Sequence, residues 1–240
     1  MSETTEERID RPAARGGIGT PTFEPRARDG WIFLAGLLLF WVIYNGPPVP
    51  ELAGIDLRLG MAGPASSNAW KWLGAVLLIA LVLWGERRGL ASLLITKPTS
   101  KDIEWAFYAF GGVMAWSWIA SLVAPQEENS GVATITSMSI AGVLLLIVTA
   151  AVTEEVAFRG YLQERLGSLL HSRWIGAAVS LMIFIAPHVV FFGPSWLFHQ
   201  LVGTLALVAF TLIRRNLVAT MLLHFLINAP ILIPTVLAKL

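Results

Sequence analysis

Residues 140–160 read IAGVLLLIVTAAVTEEVAFRG, so fourteen uncharged and mostly apolar residues run straight into Glu154 and Glu155, with Arg159 four places after Glu155. A run of this kind is built for hydrocarbon, yet it ends in charges with no proline between. Crossing a roughly 30 Å apolar layer takes about 20 helical residues. Seven blocks of the sequence approach that length, at 31–46, 70–85, 103–124, 138–158, 174–192, 196–213 and 217–236. The fold class they predict is all-α: a polytopic membrane bundle of about seven transmembrane helices.

Composition agrees. The 240 residues are 55% hydrophobic and only 14% charged, whereas soluble domains sit nearer a quarter charged. The net charge of +1 leaves no footprint for a nucleic-acid partner, and the absence of cysteine excludes disulfides, thiolate nucleophiles and thiolate metal sites. Residues 1–30 are polar and carry Arg8, Arg11, Arg15, Arg26 and Arg28 among prolines and glycines. Such a segment cannot bury a core and reads as a disordered cytoplasmic tail. Asn45-Gly46-Pro47-Pro48 then ends the first apolar block.

Basic residues orient the chain. With the N-terminus in the cytoplasm, fourteen of the seventeen lysines and arginines fall on cytoplasmic segments, leaving Arg58, Lys71 and Lys239 outside. This is the bias that cytoplasmic loops carry. It places residues 125–137, with Glu127 and Glu128, outside. Tryptophans 31, 70, 72, 84, 105, 174 and 196 stand near block ends, where amphipathic rings anchor at the headgroup level. Residues 31–137 read as three scaffold spans, whose few ionisable residues (Lys71, Asp102, Glu104) sit near their ends. Residues 138–236 read as a four-helix catalytic core.

In that core, Glu154, Glu155, His188, His224 and Asn228 lie in or beside apolar runs. An ionisable group at membrane depth costs at least about 2.5–3.5 kcal/mol on insertion scales and needs a partner or a wet cavity. Glu155 and Arg159, at i and i+4, share a helix face and can neutralise each other. Glu154 points about 100° away, free for another role. The alternative reading of this cluster is a set of charges snorkelling from a helix end. His224 and Asn228 are also i and i+4. Pro187 disturbs the helix just before His188. Glu154 and His188 are equidistant from a hairpin centred on His171, but His224 is only eight residues past a turn at Asn216. At 1.5 Å per residue the groups meet only if the first hairpin projects about 13 Å further than the second. Its polar tip (Gln163, Glu164, Arg165, His171, Ser172, Arg173) reads as solvated, and His199 as structural or interfacial.

A carboxylate and imidazoles around a cavity can activate water, and an imidazole with an amide can hold an oxyanion. The assignment is Glu154 and His188 as the water-activating pair and His224 and Asn228 as oxyanion donors. Glu155 and Arg159 support them, and no cofactor is required. The competing set is zinc held by Glu154, His188 and His224, although no HExxH motif is present.

Glu154-Glu155-Val156-Ala157-Phe158-Arg159-Gly160 resembles the EExxxRG signature of the CAAX-processing and bacteriocin-processing family of intramembrane proteases, which includes the type II CAAX prenyl endopeptidases. Phe184-Ile185-Ala186-Pro187-His188 is similar to its FxxxH motif and His224-Phe225-Leu226-Ile227-Asn228 to its HxxxN motif. The resemblance covers residues 138–232. It implies glutamate-dependent peptide hydrolysis in an all-helical membrane core, with the same four residues in the same roles. The implied partners are the lipid bilayer and a membrane-associated peptide or a lipidated or membrane-anchored protein. The implied location is a prokaryotic cytoplasmic membrane. Members process prenylated C-termini, leader peptides or sorting tails, or confer immunity to bacteriocins. The rival classes are a transporter, which internal repeats would signal, and a non-catalytic immunity scaffold.

Overall fold

A computed structural model of the chain describes residues 29–45, 68–125 and 130–239. Residues 1–28 of the expected 1–30 tail, the Gly46-Pro47-Pro48 break, Arg58 and the Glu127–Glu128 pair lie outside the described residues, while Asp29 and Gly30 open the first helix. The architecture is all-α. Six helices are long and apolar enough to cross a membrane: α2 (Asn68–Gly85), α3 (Ser100–Val123), α5 (Ile140–Leu169), α6 (Arg173–Phe192), α7 (Ser195–Arg214) and α8 (Leu217–Leu237). The first apolar block forms α1 (Asp29–Asn45), whose 17 residues reach only about 25 Å at 1.5 Å each. Among the described residues, six helices of crossing length thus stand beside this shorter apolar helix, in keeping with the expected bundle of about seven. A short α4 (Ser130–Ser137) precedes α5.

Six such helices make the chain an integral, multi-pass membrane protein. Its lateral surface is what lipid requires, with Met182 68%, Leu122 66% and Val190 86% exposed. In lipid an apolar side chain gains little by turning inward, so packing and polar pairing hold such a bundle together. Trp31, Trp84, Trp105 and Trp174 are exposed as a belt demands, but Trp196 is buried.

At the centre stands α5. Every residue from Thr153 to Gln163 on it is buried, the condition of a helix surrounded by others. The expected end of this span at residue 158 is overturned: the helix continues to Leu169. It continues because its charges are paired inside the bundle, so nothing forces it to stop at them. Ala150–Gln163 is π-helical, with i→i+5 hydrogen bonds that widen the helix where the motif lies. α1 and α2 flank it through Phe33, Phe40, Leu78 and Val82, which pack with Phe158 and Tyr161. α6 and α8 cover its other sides, while α3 packs on α7 and α8.

Two glycines permit the closest approaches. A Cβ at Gly176 of α6 would lie 2.3 Å from the Gly167 backbone nitrogen of α5, and one at Gly160 would lie 2.9 Å from Leu217 Cδ2 and 3.1 Å from the Leu93 carbonyl. Small residues at such crossings let backbones meet. The Leu217 N–H in turn donates to the Leu94 carbonyl at 2.8 Å.

One end of the bundle is closed by ion pairs. Arg165 of α5 makes a bidentate pair with Glu86 and donates to the Ser92 carbonyl at 2.7 Å. Arg214 grips Asp102 at 2.6 Å, and Arg215 pairs with Glu164. This corrects the solvated hairpin tip. Gln163, Glu164, Arg165 and Arg173 are all at most 5% exposed; Glu86 and the Ser92 carbonyl reach Arg165, and Arg215 reaches Glu164. Among the expected tip residues, His171 at the turn is exposed.

Those pairs also fix the relative heights of the two hairpins. Arg215, at the α7–α8 turn, meets Glu164, which lies seven residues before the α5–α6 turn at His171. The α5–α6 hairpin therefore extends about 10 Å beyond the α7–α8 turn. This is close to the projection that convergence of the motifs demands.

Candidate functional site

Glu155 organises the middle of the bundle. Its Oε1 accepts a hydrogen bond from His224 Nδ1 of α8 at 2.7 Å and lies 3.1 Å from Arg159 Nη1 on its own helix. The three side chains are 0, 5 and 1% exposed. They are nowhere near a helix end, so the snorkelling alternative does not describe them. A carboxylate can only accept, so His224 carries a proton on Nδ1 and engages Glu155 through that nitrogen.

His188 is fixed by a different partner. Its Nδ1 lies 2.7 Å from the Phe184 carbonyl one turn earlier. A carbonyl cannot donate, so Nδ1 carries the proton and Nε2 keeps a lone pair while the ring is neutral. Aromatic faces hold the ring: Phe184 at 4.4 Å between centroids and Trp196 at 5.0 Å, both tilted by about 30°. The FxxxH spacing thus puts the phenyl ring one turn from the imidazole and in contact with it. The same Phe184 ring carries the Arg159 guanidinium 4.2 Å from its centroid, the geometry of a cation–π contact. Phe184, the first residue of the FxxxH motif, and Trp196 are thus site-wall residues; the motif spacing did not reveal Trp196, which was expected in the belt.

Glu154 points about 100° away from Glu155 on α5, and its partner comes from the expected scaffold. Lys71 Nζ of α2 lies 3.1 Å from Glu154 Oε1. Beside it, Trp72 Nε1 donates to Thr149 Oγ1 at 3.0 Å. Glu154 interacts electrostatically with Lys71, His188 and His224, and His188 does so with Glu154, His224 and Lys71. These four groups therefore share one site on four helices. Lys71 is a cation in the first turn of an apolar, membrane-length helix, and intramembrane charge is by default a sign of function. That signal was present in the sequence.

Asn228 is half-buried at the end of the first, regular section of α8 (Leu217–Asn228), one turn beyond His224. His199 is buried on α7 next to Phe198, one turn after Trp196. Among the described residues no group of three or more His, Asp or Glu side chains is placed to hold a metal ion. The zinc set Glu154, His188 and His224 does not form such a group.

Residues 136–230 match the family model described as Type II CAAX prenyl endopeptidase Rce1-like. No curated protein and no solved structure matches the chain. The matched stretch contains all three motifs and bears out the resemblance they carry. At this level the second half of the chain is similar to type II CAAX prenyl endopeptidases. α1, α2 and α3, and with them Lys71, lie outside the match.

Proposed function

We propose that the protein is an intramembrane, glutamate-dependent endopeptidase. The observation that carries this reading is the meeting of Glu154, His188 and His224 from three helices in the middle of a membrane bundle, each held by its own partner. In the reaction, the Glu154 carboxylate and His188 Nε2 take a proton from a water molecule as its oxygen attacks the scissile carbonyl carbon. The carbonyl oxygen becomes an oxyanion. His224 and Asn228 stabilise it, and donation from His224 Nε2 requires the doubly protonated ring, for which Glu155 supplies the countercharge. The C–N bond then breaks as the abstracted proton passes to the leaving nitrogen. Glu155 orients the imidazole through its Nδ1, with Arg159 against the same carboxylate oxygen. The substrate is a membrane-associated peptide or a lipidated protein in a prokaryotic cytoplasmic membrane.

General-base catalysis contributes about 10²–10⁴-fold in rate, and removing the carboxylate should cost at least that much. The test is cleavage of an internally quenched, farnesylated peptide ending in Cys-aliphatic-aliphatic-X by the purified protein in liposomes. Glu154→Gln is expected to insert and accumulate normally and to lose turnover by that factor. Turnover at the wild-type rate in Glu154→Gln removes the proposal.

A further inference from the structure

Lys71 sits where elementary electrostatics disfavours it. It lies in the first turn of α2, where free N–H groups make the helix end positive, and that turn holds no acidic residue to offset the charge. It is also a cation on an apolar, membrane-length helix, which adds a desolvation cost. One contact answers both: the ion pair with Glu154, 83 residues further along the chain. The adjacent bond from Trp72 to Thr149 locks α2 against α5 at the same level, so the ammonium is delivered by a braced helix. Its side chain is 20% exposed against 9% for Glu154, which makes the ammonium the more accessible partner. The pair engages Oε1, and among the described residues no hydrogen bond reaches Oε2 of Glu154.

From this geometry we infer that Lys71 is a positioning residue for the peptidase reaction: it pins Oε1 of Glu154 and thereby presents Oε2 to the attacking water. The inference rests on the endopeptidase reading and adds to it a residue from outside the matched domain. The active centre is then incomplete without the first half of the chain. Lys71 acts through Glu154, so its removal should lower kcat and leave KM nearly unchanged. A misplacement of about 1 Å in a reacting group costs about 10²-fold.

The cysteine-free chain allows a direct test. Lys71→Cys introduces a single thiol, which 2-bromoethylamine converts to an aminoethyl thioether close to lysine in length and charge, and which iodoacetamide caps with a neutral group. With the farnesylated peptide as probe, Lys71→Cys and Lys71→Met are expected to lose about 10²-fold in kcat with KM held within about threefold. Aminoethylation should restore most of the kcat, and the neutral cap should not. Independently of turnover, a zero-length carbodiimide should join Lys71 and Glu154 in the wild-type protein as an amide, seen as a cross-linked peptide lighter by one water. Wild-type kcat in Lys71→Met, equal rescue by both reagents, a loss confined to KM, or no cross-link would each overturn the inference. Failure of the underlying reading looks different: there Glu154→Gln cleaves as well as the wild type, or the wild type does not cleave, whatever stands at position 71.

Discussion

Substituting Glu155 by alanine removes the one carboxylate that faces both Arg159 and His224 on its Oε1. The guanidinium is left 1% exposed without its ion-pair partner among the described residues. Breaking a buried pair from one side costs about 3–5 kcal/mol, because the remaining charge stays desolvated. The Phe184 ring under Arg159 does not make this up, since a desolvated cation–π contact is worth about 2 kcal/mol and is already present. In a chain of this size each kcal/mol moves Tm by about 2–4 °C, so Glu155→Ala should lower Tm by about 6–20 °C. The ten tryptophans make intrinsic fluorescence during thermal unfolding in detergent a direct readout. The decisive variant is the double one. Glu155→Ala with Arg159→Met removes the orphaned cation together with its partner, so it should be more stable than Glu155→Ala alone, with a coupling of about 0.5–3 kcal/mol. Strictly additive losses would refute the claim that Glu155 exists to answer a buried charge.

Three further outcomes follow from the geometry. Gly176→Val should abolish accumulation or lower Tm by several degrees, because its Cβ would meet the Gly167 backbone, which cannot yield as a side chain could; Gly111→Ala, where a Cβ meets nothing, should leave Tm unchanged in the same unfolding assay. Trp196→Ala should lower kcat/KM by about 10²-fold in peptide cleavage by freeing the His188 ring, whereas Trp118→Ala at the exposed surface should have little effect. Cleavage should persist after treatment with 1,10-phenanthroline, and loss of activity restored by zinc would contradict the metal-free assignment.

The sequence announced the site more fully than the helices around it. Glu155 with Arg159, His188 and His224 were legible because charge in an apolar run has few explanations and the i, i+4 spacing sets a common face. The relative height of the hairpins was legible too, since residue counts from two turns leave only one way for the motifs to meet. Four things were not. α5 runs past its charges because they are paired with groups from α2, α8 and the α7–α8 turn, and tertiary pairing of that kind has no local signature. The hairpin residues Glu164 and Arg165 looked solvated because polarity alone does not distinguish water from an ion-pair partner 51 or 79 residues away. Lys71 was counted as an end-of-span charge, and its partner on another helix could be found only in three dimensions. Trp196 misled for a related reason: an aromatic ring at a helix end suits a headgroup belt and a site wall equally well.

The central claim is that Glu154 activates the water that cuts a membrane-associated chain. Comparative C-terminal proteomics of membrane fractions from cells carrying the wild type or Glu154→Gln tests it most directly. The account predicts new C-termini, from one or a few membrane-associated proteins, that are present with the wild type and missing with Glu154→Gln at equal protein levels. Identical sets of C-termini in the two strains, with cleavage of the farnesylated peptide also unchanged, would contradict it.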